Sequence, residues 1–145
     1  MVEDYKNKYE FNLSYFIKNN IDSDFYVIKE SSRKLINDDK TLNLFLKQSK
    51  DVRIIIDKGD ILGVVGIWKV IEDNIRRDYI KINATDKNIF ERLITVVVWN
   101  TKNTVLIKVK KDYKFMNILR NKGFDFVSSN NQEIIFSYCK FKKRE

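Results

Sequence analysis

The sequence contains no histidine and no proline, and it has one cysteine and four glycines among its 145 residues. Without histidine the chain lacks the commonest general base and the commonest zinc ligand, and it cannot build a Ser–His or Cys–His catalytic pair. The single cysteine, Cys139, excludes an internal disulfide bond, and its place in a strand-like segment predicts a buried structural role. Acid–base chemistry would therefore depend on Asp, Glu, Tyr, Lys or water.

Long apolar runs are also missing. No segment approaches the roughly 18 apolar residues of a membrane span, and the polar start MVEDYKNKYE is unlike a secretory signal. The sequence therefore predicts a cytoplasmic protein without membrane contact. Its scattered carboxylates have no spacing typical of a metal site, so we expect no metal.

What the chain does have is positive charge, with a net charge of +8 at pH 7. Such a balance favours anionic partners. Basic residues are concentrated in Val109–Lys114 and at 140–145, where we expect a solvated basic tail. Aromatic residues lie among these basic ones, as in proteins that stack single-stranded nucleic acid, and the rings predicted to be free for stacking are Tyr113 and the outward members of alternating strands. Nucleic acid therefore stays open as a partner.

The chain shows no linker, repeat or low-complexity segment, which predicts one domain over residues 1–145. Tyr5, Tyr9, Leu13 and Phe16 follow a helical spacing, so residues 1–22 are predicted to be an N-terminal helical extension with its helix at Asp4–Asn19.

The periodicity beyond this helix predicts alternating strands and helices. They are a strand at Asp24–Glu30, a helix beginning at Asp38 or Asp39, a hairpin of Val52–Asp57 and Ile61–Val70, a strand at Asp78–Asn83, a helix at Asn88–Asn100, a strand at Thr104–Val109, a helix closed by Gly123, and a last hairpin around Asn130 and Asn131. Strands joined by a helix pair in parallel, whereas hairpins are antiparallel. The predicted class is therefore α/β (α+β), with a mixed, mainly antiparallel central sheet flanked by helices.

Two segments carry a resemblance to a known family. FMNILRNKGFDFV (Phe115–Val127) has a helix, then Gly-Phe, then a strand, and ILGVVGIWKV (Ile61–Val70) has the character of a central strand. Together with the element order from Asp24 to Cys139, they resemble the GCN5-related N-acetyltransferases, the GNAT superfamily. The resemblance implies an N-acyltransferase fold, acetyl-CoA as cofactor, and a small molecule or protein as acyl acceptor.

The sequence departs from that family after the strand DYIKIN. In the family this strand ends in an Arg/Gln-x-x-Gly-x-Gly/Ala loop, whose backbone N–H groups bind the pyrophosphate of acetyl-CoA at a helix N-terminus. Here the corresponding loop is shorter, has no glycine and supplies Asp86, which would cap the helix and repel a phosphate. The resemblance places any remaining cofactor contacts on Ile82, Asn83, Ala84, Lys87 and Arg92, with Lys110 or Lys111 near the phosphates.

A second departure concerns proton transfer. The family often has a tyrosine in the helix before Gly-Phe that reprotonates the leaving thiolate, and the matching position here is Leu119. The remaining acid–base candidates are Glu72, Asp73 and Tyr113, and Trp68 is predicted to line the acceptor cleft. We therefore expect an atypical acyl-CoA N-acyltransferase-like protein with weakened or lost acetyl-CoA-dependent activity; if it is active, it is an N-acyltransferase.

Two other interpretations stay open. One is a non-catalytic GNAT-fold module that binds an anionic partner, either nucleic acid or protein, or a ligand between the segments GIWKV and DYIKIN. The other is an assembly role, because the helix at Asn88–Asn100 is apolar on more than one side and the last strands could pair across a homodimer. Trp99, at the end of that helix, is predicted to pack in the core.

Overall fold

Seven strands form one mixed sheet in the computed structural model of the chain, which describes residues 2–140. The elements are β1 (Val2–Asp4), α1 (Glu10–Asn19), β2 (Tyr26–Lys29), β3 (Ser32–Leu35), α2 (Asp39–Gln48), β4 (Ser49–Asp57), β5 (Asp60–Glu72), β6 (Ile75–Ala84), α3 (Lys87–Asn100), β7 (Val105–Lys110), α4 (Met116–Asn121), β8 (Asp125–Ser129) and β9 (Glu133–Tyr138), with a 3-10 turn at Asn7–Tyr9.

The strand order of the sheet is β1-β4-β5-β6-β7-β9-β8. Only β6 and β7 pair in parallel, and the other neighbours in this sheet are antiparallel. One apolar cluster joins the sheet to α3 and α4, and a second joins its other face to α1 and α2. The predicted fold class, a mainly antiparallel sheet flanked by helices, is confirmed.

Local sequence signals explain where two helices begin. Asp38 caps α2 because its Oδ1 accepts the N–H of Thr41 at 2.8 Å. Asp86 caps α3 in the same way, accepting the N–H of Ile89 at 3.0 Å. Each carboxylate satisfies an N–H group that has no partner inside its helix.

Gly63 in β5 lets α3 approach the sheet closely. A Cβ atom at this position would lie 2.6 Å from Cγ2 of Ile89 and 2.8 Å from Cδ1 of Leu93. Any larger residue would therefore push α3 away from β5, so the bare backbone at Gly63 sets how tightly this helix packs.

The N-terminal segment differs from the predicted helical extension. Val2–Asp4 pairs with Arg53–Ile55 of β4 as an edge strand, and the α-helix begins at Glu10 rather than at Asp4. A three-residue strand gains its stability from a partner about 50 residues away along the chain, so its own sequence gives no periodic signal. No helix within residues 2–140 is both long and apolar enough to cross a membrane. The predicted basic tail lies outside the described residues apart from Lys140.

The strand predicted at Asp24–Glu30 also has a different place. Its central part, Tyr26–Lys29, pairs with Ser32–Leu35 in a separate two-stranded sheet and does not join the central one. Glu30 and Ser31 form the turn with φ values of 50° and 66°. Hairpin turns of this kind usually contain Asn or Gly, so the sequence carried no turn signal here.

The parallel pairing of β6 and β7 is short. Tyr79 and Leu106 are the only two residues of these strands that are in register. Beyond this pair no residues of the two strands are in register, and the segment Asn20–Phe25 hydrogen-bonds to the ends of both. This region between the strand ends is where the candidate cofactor residues lie.

Candidate functional site

Asp86 occupies the junction between β6 and α3, where the resemblance places a phosphate. Its Oδ1 accepts the N–H of Ile89 at 3.0 Å, and its carbonyl accepts the N–H of Phe90 at 3.0 Å. A helix N-terminus attracts anions through these free N–H groups and through its dipole. Here a side-chain carboxylate already uses that attraction, so the junction does not fit the pyrophosphate of acetyl-CoA.

The predicted cofactor residues of β6 are buried and already have partners within the fold. Ile82 and Ala84 are buried in the cluster that packs against α3. Asn83 is 2% exposed, and its Nδ2 donates to the carbonyl of Asn20 at 2.7 Å. Buried side chains with partners of their own are not available to a bound cofactor.

Lys87 and Arg92 are exposed on α3, and Lys111 is exposed after β7. Lys110 contributes its backbone, because its N–H donates to Oδ1 of Asp24 at 2.8 Å. Burial raises the pKa of the Asp24 carboxyl, and the hydrogen bond from Lys110 opposes that rise. Lys87, Arg92 and Lys111 thus remain on the surface, whereas the basic side chains of Lys81 and Lys108 lie over the rings of Tyr26 and Tyr79.

The segment Asn20–Phe25 bridges the opening between β6 and β7. Asn20 accepts the hydrogen bond from Asn83 at the end of β6, and Asp24 accepts the one from Lys110 at the end of β7. The polar groups at both strand ends are therefore satisfied by the chain itself. Nothing in the sequence pattern predicted this, because Asn20 and Asp24 lie 63 and 86 residues from their partners.

Glu72 and Asp73 lie at the opposite end of β6. Glu72 ends β5, and Asp73 forms the following turn with Asn74, at φ values of 51° and 62°. The ten residues of β6 separate this turn from α3 by about 30 Å at 3.3 Å per residue. The structure thus does not bring these two acid–base candidates to the candidate cofactor residues.

Tyr113 is buried, so the prediction that its ring is free for stacking is wrong. The ring lies 5.8 Å from that of Phe90 and 5.8 Å from that of Phe115, both in edge-to-face geometry. Burial raises the pKa of its hydroxyl well above the usual value, and the carboxylates of Asp22 and Asp24 raise it further. The hydroxyl therefore stays protonated, which makes it a poor general base.

Trp99 and Cys139 also depart from expectation. Trp99 is 71% exposed rather than buried, because it lies off the face of α3 that carries the buried Val97 and Val98. Its carbonyl accepts a hydrogen bond from Nζ of Lys140 at 3.0 Å. Cys139, just beyond β9, is only partly buried.

A cavity of about 400 Å³ lies on the sheet face that packs against α1 and α2. It is lined by Tyr26, Ile28, Lys29, Glu30, Trp68, Lys69, Val70, Ile71, Glu72, Tyr79, Lys81 and Lys108. Trp68, predicted as a ligand wall, is among them. β5 and β6 pair over ten residues from Gly63 to Glu72, so they leave no cleft between them, and the cavity lies over their surface instead.

Lys81 is the unusual residue of this cavity, and the sequence did not single it out. Its side chain is 6% exposed, and Nζ lies 4.4 Å from the ring centroid of Tyr26 and 5.6 Å from that of Tyr79. Among residues 2–140 it has no hydrogen-bond or ion-pair partner. Burial, followed by the charges of Lys108 and Arg33, lowers the pKa of Lys81 to about 7.

The two carboxylates that act most strongly on Lys81 are engaged elsewhere. Glu72 accepts the hydroxyl of Tyr79 at 2.8 Å. Glu133 accepts the hydroxyl of Tyr26 at 2.9 Å and lies 3.4 Å from Nη1 of Arg33. Burial, then the hydrogen bond to Glu72, raises the pKa of Tyr79 to about 12. The signal that could have revealed this site is the alternation in YIKIN, which places Lys81 on the same face as Tyr79.

Within residues 2–140 no group of three or more Asp, Glu or Cys side chains is arranged to hold a metal ion. The structure therefore offers two places of interest, the β6–α3 junction and the cavity around Lys81. Among residues 2–140, the second contains a buried ammonium, that of Lys81, with neither a hydrogen bond nor an ion pair, whereas Asp22 near the first has one partnered oxygen and one buried oxygen without a partner.

Comparison with known proteins identifies the fold. No family model and no curated protein matches the sequence. Among solved structures, an N-acetyltransferase from Staphylococcus aureus Mu50 superposes with a TM-score of 0.72 and 15% identity, covering 97% of each chain. An acetyltransferase of the GNAT family from Streptococcus pneumoniae gives a TM-score of 0.69 and 10% identity over 95% of this chain and 97% of its own.

A third structure, yncA from Salmonella typhimurium with its cofactor acetyl-CoA, has a TM-score of 0.72 and 6% identity, covering all of this chain and 96% of its own. These similarities cover nearly the whole of this chain and nearly the whole of each matched chain, although few residues are identical. They confirm the resemblance drawn from the sequence: this chain has the GNAT fold.

Proposed function

We propose that the chain is an atypical acyltransferase-like protein in which acetyl-CoA-dependent activity is weakened or lost. The observation that carries this proposal is the hydrogen bond from the Ile89 N–H to Oδ1 of Asp86. It places a carboxylate where a phosphate would need an unoccupied N–H group and positive potential. Lys87 and Arg92 are exposed nearby but do not replace a backbone cradle.

The segment Asn20–Phe25 supports the same proposal. In the GNAT layout a cofactor would lie between the parted ends of β6 and β7, and here Asn20 and Asp24 hydrogen-bond to both of those ends. A cofactor would have to displace two buried or half-buried hydrogen bonds before making its own. Each such bond contributes about 1 kcal/mol.

Isothermal titration calorimetry with acetyl-CoA and with CoA tests the proposal. We expect no saturable heat for the wild type at millimolar ligand. Asp86→Gly frees the first N–H groups of α3 and removes the charge, whereas Asp86→Ser keeps a neutral cap. The expected order of affinity is therefore Asp86→Gly above Asp86→Ser above wild type. Micromolar binding by the wild type, with turnover of an amine acceptor, would overturn the proposal and restore an active N-acyltransferase.

An anion-binding module is the second candidate. It is favoured by the net charge of +8 and by Trp99, whose ring is 71% exposed beside Lys140. Exposed rings next to basic groups can stack unpaired bases. Fluorescence anisotropy with a labelled single-stranded oligonucleotide measures this, and binding should fall steeply between 50 and 200 mM salt, values typical of such titrations. Trp99→Ala should weaken it by about 1–3 kcal/mol.

The homodimer through the last strands stays a prediction. β8 is at the end of the sheet, and its Phe126 and Val127 are 61% and 50% exposed. An edge strand of this kind can pair with a second copy. Light scattering after size exclusion would measure the mass, and Phe126→Lys should convert a dimer into a monomer.

A further inference from the structure

We propose that the cavity around Lys81 binds a small monocarboxylate with an apolar body, and that its carboxylate pairs with the Nζ of Lys81. The site lies on the face of the sheet that packs against α1 and α2, whereas Ile82, Ala84 and α3 belong to the other face. Binding there does not depend on whether acetyl-CoA binds at the β6–α3 junction. The two proposals can therefore fail separately.

The first step is the missing counterion. A cationic group removed from water loses its hydration, and proteins normally compensate this with an ion pair or hydrogen bonds. Lys81 has only the ring faces of Tyr26 and Tyr79, at 4.4 and 5.6 Å from Nζ. Cation–π contacts compensate part of the lost hydration. A ligand carboxylate would supply the partner that residues 2–140 do not.

The second step is the sign and number of charges. The cavity lining contains four lysines and two glutamates, a difference of 4 − 2 = +2 when all are ionised. Glu72 remains inside the lining and would repel a second negative charge. One buried ammonium and one nearby carboxylate therefore suit a monoanion better than a dianion such as phosphate, which needs several donors.

The third step is the apolar part of the wall. Trp68 is buried against the cavity, and Ile28 and Val70 also line it. A volume of about 400 Å³ is within the range of small-molecule sites, which bury an apolar body among aromatic walls and fix it by a few polar groups. An alkyl chain or aromatic ring attached to the carboxylate would fill this part.

The fourth step is a pH dependence that follows from the pairing. The charged groups that face Lys81 are Lys108 on β7, Arg33 on β3, Glu133 on β9 and Glu72 on β5. Without ligand the pKa of Lys81 is lowered to about 7, and a bound carboxylate would raise it. Binding above pH 7 should therefore take up a proton, and the affinity should fall by up to about tenfold for each further pH unit.

Benzoate and hexanoate are suitable probes, with benzamide and hexanamide as neutral isosteres. Calorimetry on the wild-type chain at pH 6.5 should give saturable binding of a carboxylate and none of its amide. Trp68 supplies a second readout, because the chain has two tryptophans and Trp99→Phe leaves Trp68 as the only one. Its fluorescence should change with the same saturation curve.

Lys81→Met is the decisive variant, since it keeps the length of the side chain and removes the charge. It should weaken carboxylate binding at least tenfold. Lys81→Gln is a second version, in case methionine reshapes the cavity. Lys47→Met, at an exposed position in the last turn of α2, is the matched control and should bind as the wild type does.

Three results would overturn the proposal. One is the absence of saturation by either carboxylate at 10 mM, a concentration typical for weak ligands, with the protein folded by circular dichroism. Another is equal binding of carboxylates by the wild type, Lys81→Met and Lys81→Gln. The third is binding of inorganic phosphate that depends on Lys81 when neither carboxylate binds, which would assign the cavity to a different anion.

Discussion

The β6–α3 junction and the Lys81 cavity differ in how their polar groups are satisfied. At the junction, Asp86 caps the helix, and Asn83 and Lys110 donate to Asn20 and Asp24. In the cavity, Lys81 is buried with aromatic rings around it and no anionic partner within residues 2–140. Most polar groups at the junction have partners within the chain, with Oδ2 of Asp22 a buried exception among the described residues, whereas an unpaired buried cation weakens the fold until something binds to it.

This contrast shows that the fold of the chain and the place where it binds a ligand are separate questions. The chain has the GNAT fold, and Asn20 and Asp24 hydrogen-bond to the ends of the two strands between which we propose that a cofactor would otherwise lie. The unpaired buried cation, Lys81, lies two residues before Asn83 on β6 and on the same face of the sheet. Since function resides in sites and not in folds, the second region is the better place to look for a ligand.

The largest expected effect comes from Lys81→Met, which should make the chain more stable near pH 7. Replacing even a buried ion pair by apolar side chains of similar volume is often neutral or stabilising by about 1–4 kcal/mol, and an unpaired buried charge lacks the compensating attraction of such a pair. Urea denaturation at pH 7 measures the free energy of unfolding. Lys47→Met is the control and should change it by less than about 0.5 kcal/mol. A clear loss of stability in Lys81→Met would contradict the view that Lys81 is an unpaired cation.

The stability difference between Lys81→Met and the wild type should also depend on pH, with a definite sign. The pKa of Lys81 is about 7 in the folded chain and has its ordinary value of 10.5 when unfolded. Between these values the unfolded chain holds a proton that the folded chain lacks, so wild-type stability gains up to about 1.4 kcal/mol per pH unit from this group. The advantage of Lys81→Met should therefore be fully present at and below pH 7 and should shrink towards pH 10.5. An advantage independent of pH would show that packing, and not charge, is its source.

Asp86→Ala tests the other region, the β6–α3 junction, and should destabilise it. Loss of an N-cap costs about 0.5–2 kcal/mol, because the N–H of Ile89 then lacks its partner. Asp86→Ser keeps an acceptor at the cap and should remain close to the wild type. Thermal denaturation of the three proteins measures the difference, and an unchanged midpoint in Asp86→Ala would show that the cap does not stabilise α3.

Asp24→Ala should have a smaller effect, about 1 kcal/mol, because the N–H of Lys110 loses its acceptor at the end of β7. Asp24→Asn keeps an oxygen acceptor without the charge. Since burial raises the pKa of Asp24, the amide also removes a poorly solvated carboxylate and should be at least as stable as the wild type at pH 7. The midpoints of urea denaturation measure the difference. If Asp24→Asn is destabilised as much as Asp24→Ala, the charge of Asp24 itself is needed.

Tyr79→Phe is expected to have the smallest effect, about 0.5–1 kcal/mol, from the lost hydrogen bond to Glu72. The freed carboxylate of Glu72 can then face Lys81 and raise the pKa of Lys81. The pH dependence of stability between pH 7 and 10.5 should become shallower than in the wild type. An unchanged slope would mean that Glu72 does not reach the lysine even when released.

Several parts of the fold were predictable because their signals are local. The caps at Asp38 and Asp86 and the positive φ of 91° at Gly123 follow from residue types at helix ends. The strand β1 and the hairpin β2–β3 were missed. The first has three residues and pairs far along the chain, and the second turns at Glu30 and Ser31 without glycine.

The candidate site was less predictable. Trp68 was placed at a ligand wall from the resemblance, but Lys81 looked like an ordinary strand lysine. Its burial depends on three elements that meet only after folding: β2 brings Tyr26, β3 brings Arg33 and β7 brings Lys108. Tyr113 was misplaced for the same reason, since its burial depends on Phe90 of a neighbouring element, α3.

The sequence by itself determined the order of most helices and strands, the caps that begin α2 and α3, and the absence of a glycine-rich phosphate loop, because each depends on residues close together along the chain. Only the tertiary structure decided that Asn20 and Asp24 occupy the ends of β6 and β7, and that Lys81 is enclosed with no counterion from residues 2–140. Both depend on contacts between residues far apart in sequence. The physical reason is that backbone conformation is set largely by neighbouring residues, whereas burial and charge pairing are set by whichever segments the completed fold brings together.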